Sequence, residues 1–310
     1  MRADQLILHR ELATSRSQAQ RLIAAGVLWR VGSMGSEGTW KRIAKNSDDV
    51  PDDAQIDLLD ASEARYVSRG GLKLEGALRV SGVVVTGKTC LDVGQSTGGF
   101  TDCLLQHGAK LVVGIDVGQG QLHPSMRTNP LVVAIEQVNA RELTASDLIA
   151  NYVRLTGTSD AFDDENSDSE AFDGNGEEDG EPVDRDGLED AEQAIHAASD
   201  GFDASFDLIV GDLSFISQTL VLPALVPMLK PGAEVLMLVK PQFELQPGQV
   251  GKGGIVRDEA MYAVVEARIR ACYAELGLHI KAWFESPIAG GDGNREFFVH
   301  AALPVSPAAV

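Results

Sequence analysis

The chain has 310 residues, 44% hydrophobic but only 5% aromatic, enough for about two domains with a largely aliphatic core. A net charge of −20 argues at first against a nucleic-acid partner, but it is unevenly placed: residues 159–203 hold eighteen Asp or Glu and one Arg, whereas residues 1–46 hold eight Lys or Arg and three acids. Three cysteines without metal-type spacing suit a reducing cytoplasm, and no apolar run approaches the roughly 18 residues of a membrane span, so a cytoplasmic protein without a membrane partner is expected.

Residues 1–60 read as a small separate α+β module. Leu6, Ile7, Leu8 and Leu12 give one short apolar face. Ser15 or Ser17 is placed to cap a second helix, in which Ala19, Leu22, Ile23 and Ala24 recur at helical spacing and which Gly26 ends. Short β-like pieces follow at 27–31 and 54–59. From Thr89 onward strand-length apolar runs (TCLDVG, KLVVGIDVG, LVVAIEQVN, FDLIVGDLS, EVLMLVKP) alternate with helical stretches, including one predicted over ISQTLVLPALVPMLK. Continuous Val/Ile/Leu strands between helices indicate a parallel sheet covered on both faces. HIKAWFESP and EFFVHAALP follow each other with only a Gly-rich link, so they are expected to pair antiparallel, giving a mostly parallel seven-stranded α/β domain over 61–305. The acidic, Gly- and Ser-rich stretch 159–203 cannot bury enough apolar surface to order itself and is read as a disordered insertion.

In such sheets ligands bind at the carboxyl ends of the strands. Asp92, Asp116, Asn139, Asp212 and Lys240 stand where successive apolar runs stop. The first run leads into Asp92-Val93-Gly94-Gln95-Ser96-Thr97-Gly98-Gly99-Phe100, glycines that let a ligand approach the backbone before a helix start. Asp116, with Val117 after it, follows Gly94 by 22 residues, a spacing that suits a carboxylate bonding ribose hydroxyls. Ser96 stands where a dinucleotide fingerprint would have its second glycine, which weakens a pyrophosphate site. GQSTG also matches the nucleophile elbow of α/β-hydrolases, but the late His300 lies inside an apolar strand, where a core role is expected. S-adenosylmethionine needs no phosphate cradle: Asp92 suits the ammonium of its amino-acid tail and Asp116 its ribose.

The segments RYVSRGGLKL (65–74), LDVGQSTGGFTD, GDLSFIS, VKPQFE and VGKGGIVRD occur in this order, and together they resemble the TlyA family, hemolysin-named proteins similar to FtsJ-type ribosomal RNA 2′-O-methyltransferases. The resemblance implies a Rossmann-like class I methyltransferase using S-adenosylmethionine, with a catalytic Lys-Asp-Lys-Glu set that falls on Lys73, Asp212, Lys240 and Glu296. A ribose hydroxyl is a poor nucleophile, and a positioned amine can take or share its proton. Lys240 is the expected base, Asp212 its orienting partner, and Lys73 with Glu296 the holders of the ribose. The implied cofactor contacts are Asp92, Gly94, Ser96, Thr97, Gly98, Phe100, Asp116, Val117, Asn139 and Asp212.

The N-terminal segment resembles the ribosomal-protein S-four-like RNA-binding domain through Arg2, Asp4, Leu6, the run Ser15–Ile23 and Gly26. That implies phosphate contacts from Arg2, Arg16, Arg21 and Lys41, and more loosely from Arg10 and Arg42; Arg69 and Lys252 are further candidates for touching RNA. Leu28-Trp29-Arg30-Val31-Gly32 replaces the hairpin usual in that family. The loop Gly251–Asp258 reads either as a cover over the site, with Lys252 or Arg257 on the substrate backbone, or as a plain loop in which Asp258 caps the next helix. The implied partner is ribosomal RNA or a ribosomal subunit. The rival readings are an RNA-binding or ribosome-assembly protein with little catalysis and a membrane-active hemolysin.

Overall fold

A computed structural model of the chain describes residues 1–32, 38–60, 64–157, 201–290 and 293–305. The expected disordered insertion therefore lies outside the described residues, except for 201–203.

The N-terminal part consists of α1 (Ala3–His9), α2 (Arg16–Gly26), β1 (Val27–Arg30), β2 (Lys41–Arg42) and β3 (Gln55–Leu58). Ser15 is the cap of α2, its hydroxyl accepting the Gln18 N–H at 3.2 Å. β1 pairs antiparallel with β2 on one side and β3 on the other. The apolar sides of the two helices close on Val27, Ile43 and Val50 in a small core of their own. β1 and β3 are the two β-like pieces legible in the sequence.

The rest of the chain runs α3 (Arg69–Ser81), β4 (Thr89–Val93), α4 (Gly99–Gln106), β5 (Leu111–Asp116), α5 (Pro124–Arg127), β6 (Val132–Glu136), α6 (Ala145–Thr156), β7 (Phe206–Gly211), α7 (Leu222–Leu225), β8 (Leu229–Val239), α8 (Pro241–Glu244), α9 (Ala260–Glu275), β9 (His279–Glu285) and β10 (Phe297–Ala302). The seven strands lie in the order β6-β5-β4-β7-β8-β10-β9. β4 to β8 are parallel, and β10 runs antiparallel to both β8 and β9. This is the expected Rossmann-like α/β sheet. Alternate residues of single strands supply opposite cores: Leu91, Ile209 and Met237 face one, and Cys90, Leu208 and Leu236 face the other. α3 and α4 cover the second face and α9 the first. Both faces of each central strand are buried, which is why their sequences read as continuous apolar runs.

The helix expected over ISQTLVLPALVPMLK does not form as one piece. It divides into a 3-10 turn Gln218–Leu220, the single turn α7 and a second 3-10 turn Val226–Met228. Pro223 and Pro227 lack the amide protons a continuous helix needs. The short α5 and the two-residue β2 have no counterpart in the sequence reading.

Candidate active site

The strand order reverses at β4, whose neighbours β5 and β7 open a crevice at their carboxyl ends. A cavity of about 380 Å³ lies there. Its apolar wall comes from Ile115, Val117, Val138, Leu213, Ile216 and Val221, and its polar groups include Ser96, Asp116, Asn139 and Asp212. Asp116 binds the loop after β4: its Oδ2 accepts the Ser96 N–H and its Oδ1 the Gly118 N–H, both at 2.7 Å. Gly94 has φ +81°, and a Cβ there would meet the Asp212 carbonyl at 3.0 Å, so the loop requires glycine. A smaller recess next to this cavity is lined by Thr97, Phe100, Asp212, Ser214 and Lys240, together with Ser68 and Gly70 from the start of α3.

Further contacts fix these walls and the residues behind them. Gly98 caps α4 at φ +91° and packs against Leu122 and Met126. Phe100 is buried and stacks on Phe298 with centroids 6.3 Å apart. Asp92 does not reach the cavity. It is fully buried within β4, Oδ2 accepts the Thr101 hydroxyl at 2.7 Å, and Oδ1 has no hydrogen-bond partner among the described residues. Burial pushes its carboxyl up to about 7, against the opposing Thr101 bond and with Asp212 and Asp116 adding to the rise.

Two ion pairs are drawn from four elements, and one of them, Lys240 with Asp212, lines the smaller recess. Lys73 on α3 is buried and donates to Glu296 Oε2 at 2.5 Å. Lys240, at the end of β8, places Nζ 2.5 Å from Asp212 Oδ1 and donates to Ser214 Oγ at 2.8 Å. Burial raises the Glu296 carboxyl above its ordinary range, Lys73 opposes this, and the charges of Asp212 and Lys240 are both felt there. All four residues therefore belong to one electrostatic cluster. Ser214 was not foreseen, and neither was Phe215, which lines the cavity 91% exposed at φ +64°. A serine and a phenylalanine in a strand-to-helix connection carry no pattern that marks them.

The basic residues named for RNA are distributed differently. Arg2 and Arg16 both bind the buried Asp4, whose carboxyl is held far below the usual range chiefly by Arg2 and also by Arg16. Each guanidinium remains substantially exposed beyond that contact. Arg21 is half-buried on α2, Lys41 lies over the Trp29 ring at 5.1 Å, and Arg42 is exposed on β2. Arg10 folds back to donate to the carbonyls of Asp52 and Ala54. Arg69 donates to the Ala289 carbonyl at 3.3 Å, in the segment between β9 and Glu296. Lys252 and Arg257 are exposed in a turn that Asn294 ties down, accepting from Val256 N–H and donating to the Gly254 carbonyl, each at 2.9 Å. Asp258 Oδ1 accepts the Ala260 N–H at 3.0 Å, one residue ahead of Glu259, the N-cap position of α9. His300 is buried on Glu234, far along β10 from its Phe297 end, consistent with its core role.

The model of the FtsJ-like methyltransferase family matches residues 66–303, which contain the whole crevice and all four clustered residues. This chain belongs to the FtsJ-like methyltransferase family. It is 37% identical over 96% of its length, and 88% of the relative's, to the 16S/23S rRNA (cytidine-2′-O)-methyltransferase TlyA of Mycobacterium tuberculosis. It is 31% identical to hemolysin A of Brachyspira hyodysenteriae, covering 97% of this chain and 99% of that one. A solved structure described as a hemolysin from Streptococcus thermophilus superposes with a TM-score of 0.62 at 32% identity, covering 99% of this chain and 90% of the other. As an FtsJ-like protein the chain is a methyltransferase of class I Rossmann-like fold.

Proposed function

We propose that this methyltransferase carries a methyl group from S-adenosylmethionine to a ribose 2′-oxygen of ribosomal RNA. The observation that carries this reading is the Lys73–Glu296 and Lys240–Asp212 cluster. The cavity suits the cofactor: an apolar slot for a planar base, the Asp116 carboxylate for ribose hydroxyls, a glycine at close approach, and Asp212 facing a cationic centre. When bound, S-adenosylmethionine supplies an electrophilic methyl on a sulfonium. Lys240 takes the proton of the attacking hydroxyl on its amine lone pair, and Asp212 and Ser214 hold the ammonium that results. Lys73 and Glu296 orient the ribose so that the hydroxyl is in line. Asp92 accepts the Thr101 hydroxyl of α4, and Thr101 in turn accepts Gln95 Nε2 of the loop. The TlyA of M. tuberculosis, named for 2′-O-methylation of 16S and 23S rRNA, makes ribosomal RNA the substrate class of choice.

Residues 1–60 form an RNA-binding domain of the S-four-like type in this reading, and 61–305 the catalytic domain. Arg2 and Arg16, fixed by Asp4, turn their remaining N–H groups outward toward phosphates, with Arg21, Lys41 and Arg42 on the same small module. The hemolysin name of one relative has no counterpart in a spanning segment: among the described residues no helix is long and apolar enough to cross a membrane.

The test uses labelled S-adenosylmethionine with ribosomal subunits. Label in alkali-resistant dinucleotides, lost in Lys240→Ala, is the expected result. Cofactor binding without label on either subunit or on naked ribosomal RNA would refute the assignment.

A further inference from the structure

The Asp212–Lys240 contact joins the ends of two neighbouring strands, β7 and β8. Beyond each end the chain leaves the sheet, through residues 212–217 on one side and α8 on the other. Two strand ends that must hold an ammonium against a carboxylate and a hydroxyl need a further tie. Glu244, the last residue of α8, supplies it. Its side chain is buried at 4% exposure, Oε1 accepts the Gln218 N–H at 2.9 Å, and Oε2 accepts the Ser217 hydroxyl. Ser217 Oγ in turn accepts the Thr219 N–H at 3.2 Å. Arg268 of α9 ties the same two segments, donating to the Glu244 carbonyl at 2.5 Å and to Thr219 Oγ1 at 3.3 Å. Behind them Gln218 accepts the buried Tyr273 hydroxyl at 3.0 Å.

We infer that Glu244 is a positioning residue for methyl transfer: it clamps the 213–218 loop to the segment carrying Lys240, and so sets the Asp212–Ser214–Lys240 contact and the cavity wall at Leu213, Phe215 and Ile216. A carboxylate in this place is costly to bury, and both of its oxygens are used on the loop. Ser214 lies three residues from Ser217, so loosening the clamp shifts the hydroxyl that Lys240 binds. The inference rests on the proposed function only for the catalytic readout, because the same loop also lines the cavity.

The test compares Glu244→Ala, Glu244→Gln and Ser217→Ala in the full chain, reading kcat and the KM for ribosomal RNA, and S-adenosylhomocysteine binding by calorimetry. Glu244→Ala is expected to lower kcat about 10²-fold, the scale of an ångström-sized misplacement, and to weaken S-adenosylhomocysteine, with the RNA KM unmoved. Glu244→Gln keeps an oxygen for the Gln218 N–H and offers an amide to Ser217, so it restores kcat and binding to near wild type. Wild-type kcat and binding in a folded Glu244→Ala overturns the clamp, and so does a Gln variant as impaired as the Ala one. Should Glu244→Ala fail to fold, Ser217→Ala removes one of the two bonds, and an unchanged kcat and affinity there refutes the proposal. If the wild type binds S-adenosylhomocysteine but methylates no ribosomal RNA, the proposed function fails while the calorimetric comparison still decides the clamp.

Discussion

Removing one partner from a buried ion pair leaves a charge with nothing to balance it, whereas removing both leaves an apolar gap that other side chains can fill. Lys73 and Glu296 make such a pair. Lys73→Ala or Glu296→Ala alone is expected to lower stability by about 3–5 kcal/mol. The double variant Lys73→Met/Glu296→Leu is expected to unfold at higher urea than either single one and still to lack methyl transfer. A double variant no more stable than the singles would mean that the pair is not balanced as described. Asp92 gives a prediction in pH. Its folded pKa of about 7 lies above the usual unfolded value, so between roughly pH 4 and 7 the folded state binds more protons than the unfolded one. Its contribution to stability therefore falls by about 1.4 kcal/mol for each pH unit climbed through that window, and is flat above it. Asp92→Asn should remove this slope in thermal unfolding measured from pH 4 to 8, and a difference from wild type that is constant with pH would refute the assignment. At this scale the ordered motifs single out Lys73, Asp212 and Lys240, Glu296 comes only with the set that the resemblance implies, and the structure pairs the four as Lys73–Glu296 and Lys240–Asp212. Ser214 and Glu244 were not legible. Their roles come from how two loops pack on each other, and nothing local in GDLSFIS or KPQFE separates a buried clamp from an ordinary helix-end glutamate.

The elements follow how their residues are buried. β4, β5, β7 and β8 were readable as strands because both of their faces are covered, and β9–β10 as an antiparallel pair because no helix fits between them. The stretch before β8 was misread because its apolar spacing is helical but its two prolines divide it into separate turns. The loop after β4 was legible as a ligand loop from its glycines, and the structure adds which of them is indispensable. At Gly94 a Cβ would press on the Asp212 carbonyl at 3.0 Å from a left-handed backbone. Gly94→Ala therefore strains the loop that Asp116 holds and moves Asp212 together with it. The expected outcome is weaker S-adenosylhomocysteine binding by calorimetry, with a near-native circular dichroism spectrum. Unchanged affinity would show that the β4 loop and β7 end are not coupled as the packing indicates.

At the scale of the whole molecule, the N-terminal module and the catalytic part meet through directed contacts. Gln18 of α2 donates to the Tyr66 carbonyl and Thr14 to the Val67 carbonyl, each at 3.2 Å, just ahead of the α3 helix that carries Lys73. A basic module held in this way would present RNA to the crevice in a fixed register and not on a free tether. The uneven charge of the chain fits that arrangement, since residues 1–46 carry an excess of five positive charges while 159–203 hold eighteen acids against one Arg. Phosphate contacts strengthen binding without reading sequence, and each one releases counterions. Arg16→Ala and Arg42→Ala are therefore each expected to weaken binding to ribosomal RNA and to reduce the slope of log K against log salt by about 1. Asp4 keeps Arg2 as a partner when Arg16 is removed, so the fold of the module should survive that change. S-adenosylhomocysteine affinity should stay at the wild-type value in both variants, because neither residue lines the cavity. Salt slopes identical to wild type in both would mean that RNA is held by another face, and Arg69 and the exposed Lys252 would then be the next to test by the same measurement.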